Sequence, residues 1–250
     1  MIYFIGAGPG DPELITVKGK KILSQADIAI YAGSLVNIEV LEFAKRNCVV
    51  YNSAYMTLEE VIGIMSEGHQ NGETVVRLHT GDPSVYGALR EQMRELDKRG
   101  IEYEVIPGVS SFLAAAAALK KEYTLPGVTQ TVILTRMEGR TGVPASEDIA
   151  SLAVHNATMV IFLSTGMIDE LIERLKQGYE DDTPAAVIYK ASWPDQKIVM
   201  GTVKDIADKA KREGIKKTAL LAVGNFLGDE YELSRLYDSG FTHEYRRGTE

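Results

Sequence analysis

Ile2-Tyr3-Phe4-Ile5-Gly6-Ala7-Gly8-Pro9-Gly10-Asp11 opens the chain with a short apolar run that breaks into glycines. Such a run, too short for a helix of ordinary length, reads as a buried strand. The glycines after it let backbone amides approach a ligand with no side chain in the way. A dinucleotide loop would place a third glycine where this chain has Asp11, and an acid after the second strand to hold a ribose hydroxyl. The second apolar run, Ile28-Ala29-Ile30-Tyr31, instead ends in Ala32-Gly33. The opening is a cofactor loop of a kind not built for a nicotinamide dinucleotide.

Working outward, the same strand-then-glycine arrangement recurs. The run 74–78 leads into His79-Thr80-Gly81-Asp82-Pro83, and the run 103–106 leads into Pro107-Gly108-Val109-Ser110-Ser111. Strands are expected at 2–6, 28–31, 48–51, 74–78 and 103–106, with helices at 16–25, 36–46, 57–70, 86–99 and 110–120. Thr57-Leu58-Glu59-Glu60 is a capping box, which supports a helix start there. Gly100 follows a charged helical stretch as a C-terminal glycine. Strands alternating with helices imply a mostly parallel sheet covered on both faces. Ligands of such sheets sit beyond the carboxyl ends of the strands, which is where these loops lie. Asp82 is placed to cap the following helix, and Ser110 and Ser111 to cap theirs or to meet a ligand.

The character changes at Lys120-Lys121-Glu122 and Pro126-Gly127. Beyond it, strands are expected at 131–135, 158–163, 185–190, 197–201 and 218–224, and helices at 146–154, 166–177 and 203–213. The runs 185–190 and 197–201 have no helix between them, which suggests antiparallel pairing. The fold class expected is therefore α/β with two domains: 1–120 with a mostly parallel sheet, and 121–228 with a mixed sheet, helices covering both faces. A polar tail follows over 229–250.

Composition narrows the function. The chain has 250 residues, 45% hydrophobic and 25% charged, with a net charge of −8. That is ordinary for a globular protein and disfavours nucleic acid as a partner. The single cysteine, Cys48, is read as a buried strand thiol and fits a reducing compartment. No apolar stretch is long enough for a membrane span, and no basic leader precedes the first strand. A cytoplasmic location is expected. The four histidines, His69, His79, His155 and His243, have no metal-ligand spacing, so no metal site is expected. His69, His155 and His243 are read as surface residues.

Taken with these loops, the stretches Tyr31-Ala32-Gly33-Ser34-Leu35-Val36, Gln130 to Arg136, Gly139-Arg140-Thr141 and Ala191-Ser192-Trp193-Pro194-Asp195 make the chain similar, over essentially its whole length, to the tetrapyrrole methylase family. These are S-adenosylmethionine-dependent enzymes of sirohaem and cobalamin biosynthesis. The resemblance implies a homodimer that methylates a small-molecule tetrapyrrole, with S-adenosylhomocysteine as by-product, at C-11 of precorrin-4 or its cobalt complex. Members that methylate uroporphyrinogen III carry an acid after the tyrosine of the first stretch; this chain has Ala32. By the same resemblance, cofactor contacts fall on Pro9, Thr80, Gly81, Asp82, Val85, Ser110, Ser111, Leu163, Ala191 and Ala219.

Precorrins carry several carboxylates, and bidentate arginine is their natural partner. Arg136 and Arg140 flank Met137-Glu138-Gly139 past a strand and are candidates for substrate binding, together with His79 and Lys190. Trp193 either covers the cleft or packs in a turn. No catalytic base is singled out; Tyr86 and Glu104 stand near the right strand ends. Rival readings are another ring-position methylase of the same pathway, disfavoured by 31–36 and 130–141, a nicotinamide oxidoreductase, disfavoured by Asp11, and a cofactor sensor without turnover.

Overall fold

The computed structural model describes residues 1–249 except Ser34, Arg140, Thr141 and residues 164–166, with the side chains of Leu163 and Leu236 also left out. The chain divides into two compact units, Met1–Ala118 with Lys190–Lys197, and Leu119–Tyr189 with Ile198–Glu250.

The first unit is built on β1 (Ile2–Gly6), β2 (Ile28–Tyr31), β3 (Val49–Asn52), β4 (Val75–His79) and β5 (Tyr103–Ile106), in the order β3-β2-β4-β1-β5. Every neighbouring pair is parallel. The helices are α1 (Val17–Leu23), α2 (Leu58–Gln70), α3 (Leu89–Asp97) and α4 (Ser111–Leu119). Alternate strand residues feed two separate cores, as the two-residue period of a strand requires. Ile5, Ala29, Val76 and Leu78 pack with Leu23 of α1. Ile2, Phe4, Ile28, Ile30 and Val75 pack with Val61, Ile62 and Met65 of α2 and Leu96 of α3. Phe4 is fully buried, which by area transfer is worth about 2–3 kcal/mol. From β1 the chain moves along the sheet toward β2, and from β4 it moves the other way to β5. β1 and β4 are neighbours, so their carboxyl ends form the switch point at which α/β sheets bind ligands.

Two sequence expectations change here. Residues 36–46 do not form an α-helix: a 3-10 helix spans Ile38–Phe43, capped by Asn37, with Val40 its buried residue and Ile38 63% exposed. One buried position cannot supply the apolar stripe that stabilises an α-helix against a sheet. Cys48 is half-buried just before β3 rather than enclosed within it.

The second unit holds β6 (Val132–Arg136), β7 (Thr158–Leu163), β8 (Pro184–Tyr189), β9 (Lys197–Thr202) and β10 (Ala219–Val223), in the order β6-β7-β10-β8-β9. β6 and β7 are parallel, while β10 runs antiparallel to both β7 and β8. The sheet is therefore mixed. α5 (Ile149–Ala153), α6 (Ile168–Leu175) and α7 (Ile206–Arg212) supply Ala153, Leu171 and Ile206 to one core with Met159, Ile161, Val187 and Leu221. Where one helix was expected over 146–154, a 3-10 turn at Ala145–Glu147 precedes α5, because Asp148 breaks the run to cap Ala150.

Candidate functional site

The three glycine loops of the first unit meet. Past β1 the Ala7 amide continues the ladder to the His79 carbonyl at 2.8 Å, and then Gly8 and Gly81 exchange backbone bonds at 2.8 and 3.3 Å. Both lie at positive φ, +82° and +59°, a region that only glycine enters freely. A Cβ on Gly6 would lie 2.5 Å from the Cα of Gly108, and one on Gly108 would lie 2.2 Å from the Gly81 carbonyl oxygen. These two glycines are thus demanded by contact of the loops with one another, whereas the sequence reading ascribed them to the approach of a ligand.

Asp82 fastens the second loop to the third. Its Oδ2 accepts from the Gly108 amide at 2.8 Å, and its Oδ1 from the Ser84 amide at 2.8 Å. It does not cap the following helix. α3 begins only at Leu89, after a turn in which Tyr86 and Ala88 both adopt positive φ. Val85, half-buried, lies in that turn. In the third loop the Ser110 carbonyl accepts from the amides of Leu113 and Ala114, and its side chain is buried. Ser111 is the first residue of α4 and is half-buried.

The first loop is gripped from two further elements. Asn37 donates from Nδ2 to the Gly10 carbonyl at 2.9 Å. Trp193 donates from Nε1 to the Pro9 carbonyl at 2.9 Å, while Ser192 Oγ accepts from the Asp11 amide at 3.0 Å. The indole lies against Gly10, where an added Cβ would fall 2.0 Å from Cδ1. Trp193 therefore covers the first glycine loop. Lys190 and Ser192, on either side of buried Ala191, take positive φ to bring this about. The Lys190 ammonium pairs with Asp195 at 2.6 Å and stands 5.1 Å over the Trp193 ring. Thr80 donates from Oγ1 to the Leu35 carbonyl at 3.2 Å, tying in the turn after β2. Asn37 gave no sequence signal for this role; a side chain reaching back 27 residues leaves no periodic trace.

His79 ends β4 and is 3% exposed. Its ring lies 5.9 Å from that of Phe4, and Nε2 is enclosed with no hydrogen-bond partner among the described residues. Burial, aided by the charge of Arg77, pushes its pKa down to about 3, against smaller opposing effects of the Gly87 backbone and Asp82. The imidazole is neutral at physiological pH and supplies no charge to a carboxylate.

In the second unit Leu163, at the end of β7, and Tyr189, at the end of β8, both stand level with Ala219 at the start of β10. Ala219 is 7% exposed. Arg136 ends β6 and donates to the carbonyls of Met137 at 3.2 Å and Gly142 at 3.0 Å. Arg140 lies outside the described residues. Glu104, on β5, is paired with Lys18.

The chemistry of the site is that of backbone groups and hydroxyls at a switch point. The Ser110 and Ser111 hydroxyls lie in the third loop, while the Thr80 hydroxyl is taken up by Leu35 and the Gly81 backbone by Gly8, with Ser110 close against Gly81. Among the described residues no group of His, Cys, Asp and Glu could hold a metal ion.

Comparison with known proteins matches residues 1–207 to the model of tetrapyrrole (corrin/porphyrin) methylases. The chain belongs to the tetrapyrrole methylase family. This methylase is 58% identical to a Methanocaldococcus jannaschii protein named cobalt-precorrin-4 C(11)-methyltransferase, over 98% of its own length and 96% of the relative's. It is 46% identical to the precorrin-4 C(11)-methyltransferase of Pseudomonas aeruginosa, over 99% of both chains. Among solved structures, a cobalt precorrin-4 methyltransferase superposes with a TM-score of 0.89 at 48% identity, covering 91% of this methylase and 96% of that chain. The uroporphyrin-III C-methyltransferase of Thermus thermophilus complexed with S-adenyl homocysteine gives 0.73 at 26% identity, covering 90% and 98%. The tetrapyrrole methylase fold is thus the fold of this chain.

Proposed function

We propose that this chain transfers the methyl group of S-adenosylmethionine to C-11 of precorrin-4, carried as such or as its cobalt complex, in cobalamin biosynthesis. The observation that carries this reading is the 58% identity to a cobalt-precorrin-4 C(11)-methyltransferase over nearly all of both chains. The convergence of three glycine loops at the β1–β4 switch point supports it.

The bound cofactor would supply a sulfonium methyl, open to in-line attack by a nucleophilic carbon. What the protein adds is placement, since holding reacting atoms at about 3–3.5 Å and in line is worth roughly 7–11 kcal/mol. In this reading Pro9, Thr80, Gly81, Asp82, Val85, Ser110, Ser111 and Ala191 of the first unit hold the cofactor, and Leu163 and Ala219 are its contacts in the second. Asp82 acts through its clamp on Gly108, fixing two loops at once. Trp193 keeps water from the Pro9–Gly10 backbone. Arg136, Arg140 and Lys190 are proposed to meet substrate carboxylates. His79, neutral and enclosed, would contribute at most an acceptor nitrogen.

We also propose a cytoplasmic homodimer. Among the described residues no helix is long and apolar enough to cross a membrane. The edge strand β3 exposes Val49 (50%) and Val50 (45%), apolar surface of the kind a subunit contact covers. The deciding experiment incubates the protein with isotope-labelled S-adenosylmethionine and purified precorrin-4, with and without cobalt, and locates the new methyl by NMR. A label at C-11 supports the assignment; a label at another ring carbon, or none, sinks it.

A further inference from the structure

Arg77 stands in the middle of β4, level with Phe4 of β1 and Ile30 of β2, and is 8% exposed. Its partners among the described residues are neutral. Nε donates to Gln92 Oε1 at 3.2 Å, and Nη1 to the carbonyls of Ile30 at 3.3 Å and Leu78 at 3.5 Å. Burial lowers its pKa to about 10, so it remains a cation. A well-packed apolar residue would fill this layer without the desolvation cost of a buried charge. The charge has an outlet through Gln92, itself 4% exposed, whose Nε2 donates to the Ala88 carbonyl at 3.1 Å. A cation on the amide oxygen polarises the amide and strengthens what its N–H donates.

The Ala88 carbonyl is a consequential place to hold. Ala88 precedes α3 at φ +48°, with no side-chain cap, and Tyr86 is at φ +54°. Gly87 between them is packed so closely that an added Cβ would meet the Pro83 carbonyl oxygen at 2.2 Å. The turn 83–88 is therefore held by the Asp82 clamp at its entrance, by the bond of the Gly87 backbone to His79 within it, and by the Gln92 bond at its exit.

We propose that Gln92, oriented by Arg77, is a positioning residue for methyl transfer: its bond to Ala88 holds the 83–88 turn, and with it Val85, in the conformation that binds the adenosyl cofactor. The proposal rests on the reading of this edge as the S-adenosylmethionine site.

Gln92→Glu separates positioning from mere packing. A glutamate keeps the size and pairs with Arg77, yet as an anion it has no hydrogen to give Ala88. Its melting temperature should stay within a few degrees of wild type, while S-adenosylhomocysteine binds about tenfold more weakly in calorimetry. Hydrogen exchange over 83–88 should be faster. Gln92→Met, which loses both bonds, should show the same loss of affinity and decides the matter if the glutamate variant does not fold. Affinity within twofold of wild type in a folded variant overturns the proposal, as does unchanged exchange over 83–88. If wild type itself takes up no S-adenosylhomocysteine, the cofactor reading has failed and the proposal falls with it; a loss confined to the variants leaves that reading standing.

Discussion

The indole Nε1 of Trp193 reaches the Pro9 carbonyl at 2.9 Å across 184 residues of sequence, and its ring fills the space a side chain on Gly10 would need. Trp193→Phe keeps a ring there and removes the hydrogen bond. It should cost about 1 kcal/mol in urea unfolding and weaken S-adenosylhomocysteine binding. Gly10→Ala should push the indole out, costing about 1–3 kcal/mol. Trp193 is the chain's only tryptophan, so a red shift of intrinsic fluorescence reads this directly; an unshifted spectrum would mean that the ring is not seated on Gly10.

Gly108→Ala places a methyl 2.2 Å from the Gly81 carbonyl oxygen. Neither partner is a flexible side chain, so the backbone must part. A loss of about 3 kcal/mol in stability and of measurable S-adenosylhomocysteine uptake is expected. Unaltered uptake would show that the cofactor does not depend on loops two and three staying together.

Asp82→Asn retains one acceptor oxygen where the carboxylate uses two, one for Gly108 and one for Ser84. One of those charge-assisted bonds must be lost, at about 1.5–3 kcal/mol. Denaturant midpoints test this; a change below about 0.5 kcal/mol would place the clamp outside the energetics of the fold.

The buried His79 sets a pH dependence of definite sign. Its folded pKa, about 3, lies below the ordinary value near 6.5, so the unfolded chain binds the proton first as pH falls. Stability is therefore fully present above about pH 6.5 and declines below it, by at most about 1.4 kcal/mol per pH unit. Unfolding measured between pH 6.5 and 4.5 should show this slope, and His79→Gln should flatten it. A variant with the wild-type slope would place the titration elsewhere.

Arg136→Ala removes a guanidinium that donates to the carbonyls of Met137 and Gly142. Tetrapyrrole binding should weaken about tenfold or more, the worth of a charge-assisted contact, with S-adenosylhomocysteine affinity within twofold of wild type. Equal losses for both ligands would remove Arg136 from the substrate side.

Much of this was legible in the chain. β1, β2 and β5 are apolar runs closed by glycine, proline or alanine-glycine, and their ends fall where expected. β3 and β4 sit one residue later, since Asn52 and His79 continue the ladder. The capping box at Thr57 and the glycine end at Gly100 were readable because their bonds are local. The start of α3 was not: Pro83 and Asp82 look like a helix entrance, but Tyr86 and Ala88 at positive φ keep the helix from starting before Leu89. Nor were the ties of Trp193 to Pro9 and Gln92 to Ala88 readable, since a side chain that reaches a carbonyl leaves no pattern in spacing. The burial of Arg77 was not readable either, since it depends on Gln92 of α3 lying against it.

The segment Lys190–Lys197 belongs to a unit that otherwise ends at Ala118. During synthesis, most of that unit leaves the ribosome long before the residues that finish it. Its opening loop must then wait, with the Pro9 carbonyl and Asp11 amide facing water, until more than seventy further residues have emerged. Closure over so long a separation is entropically slow. A fragment cut after Ala118 would carry that unfinished edge permanently, whereas supplying 190–197 as a separate peptide should restore it.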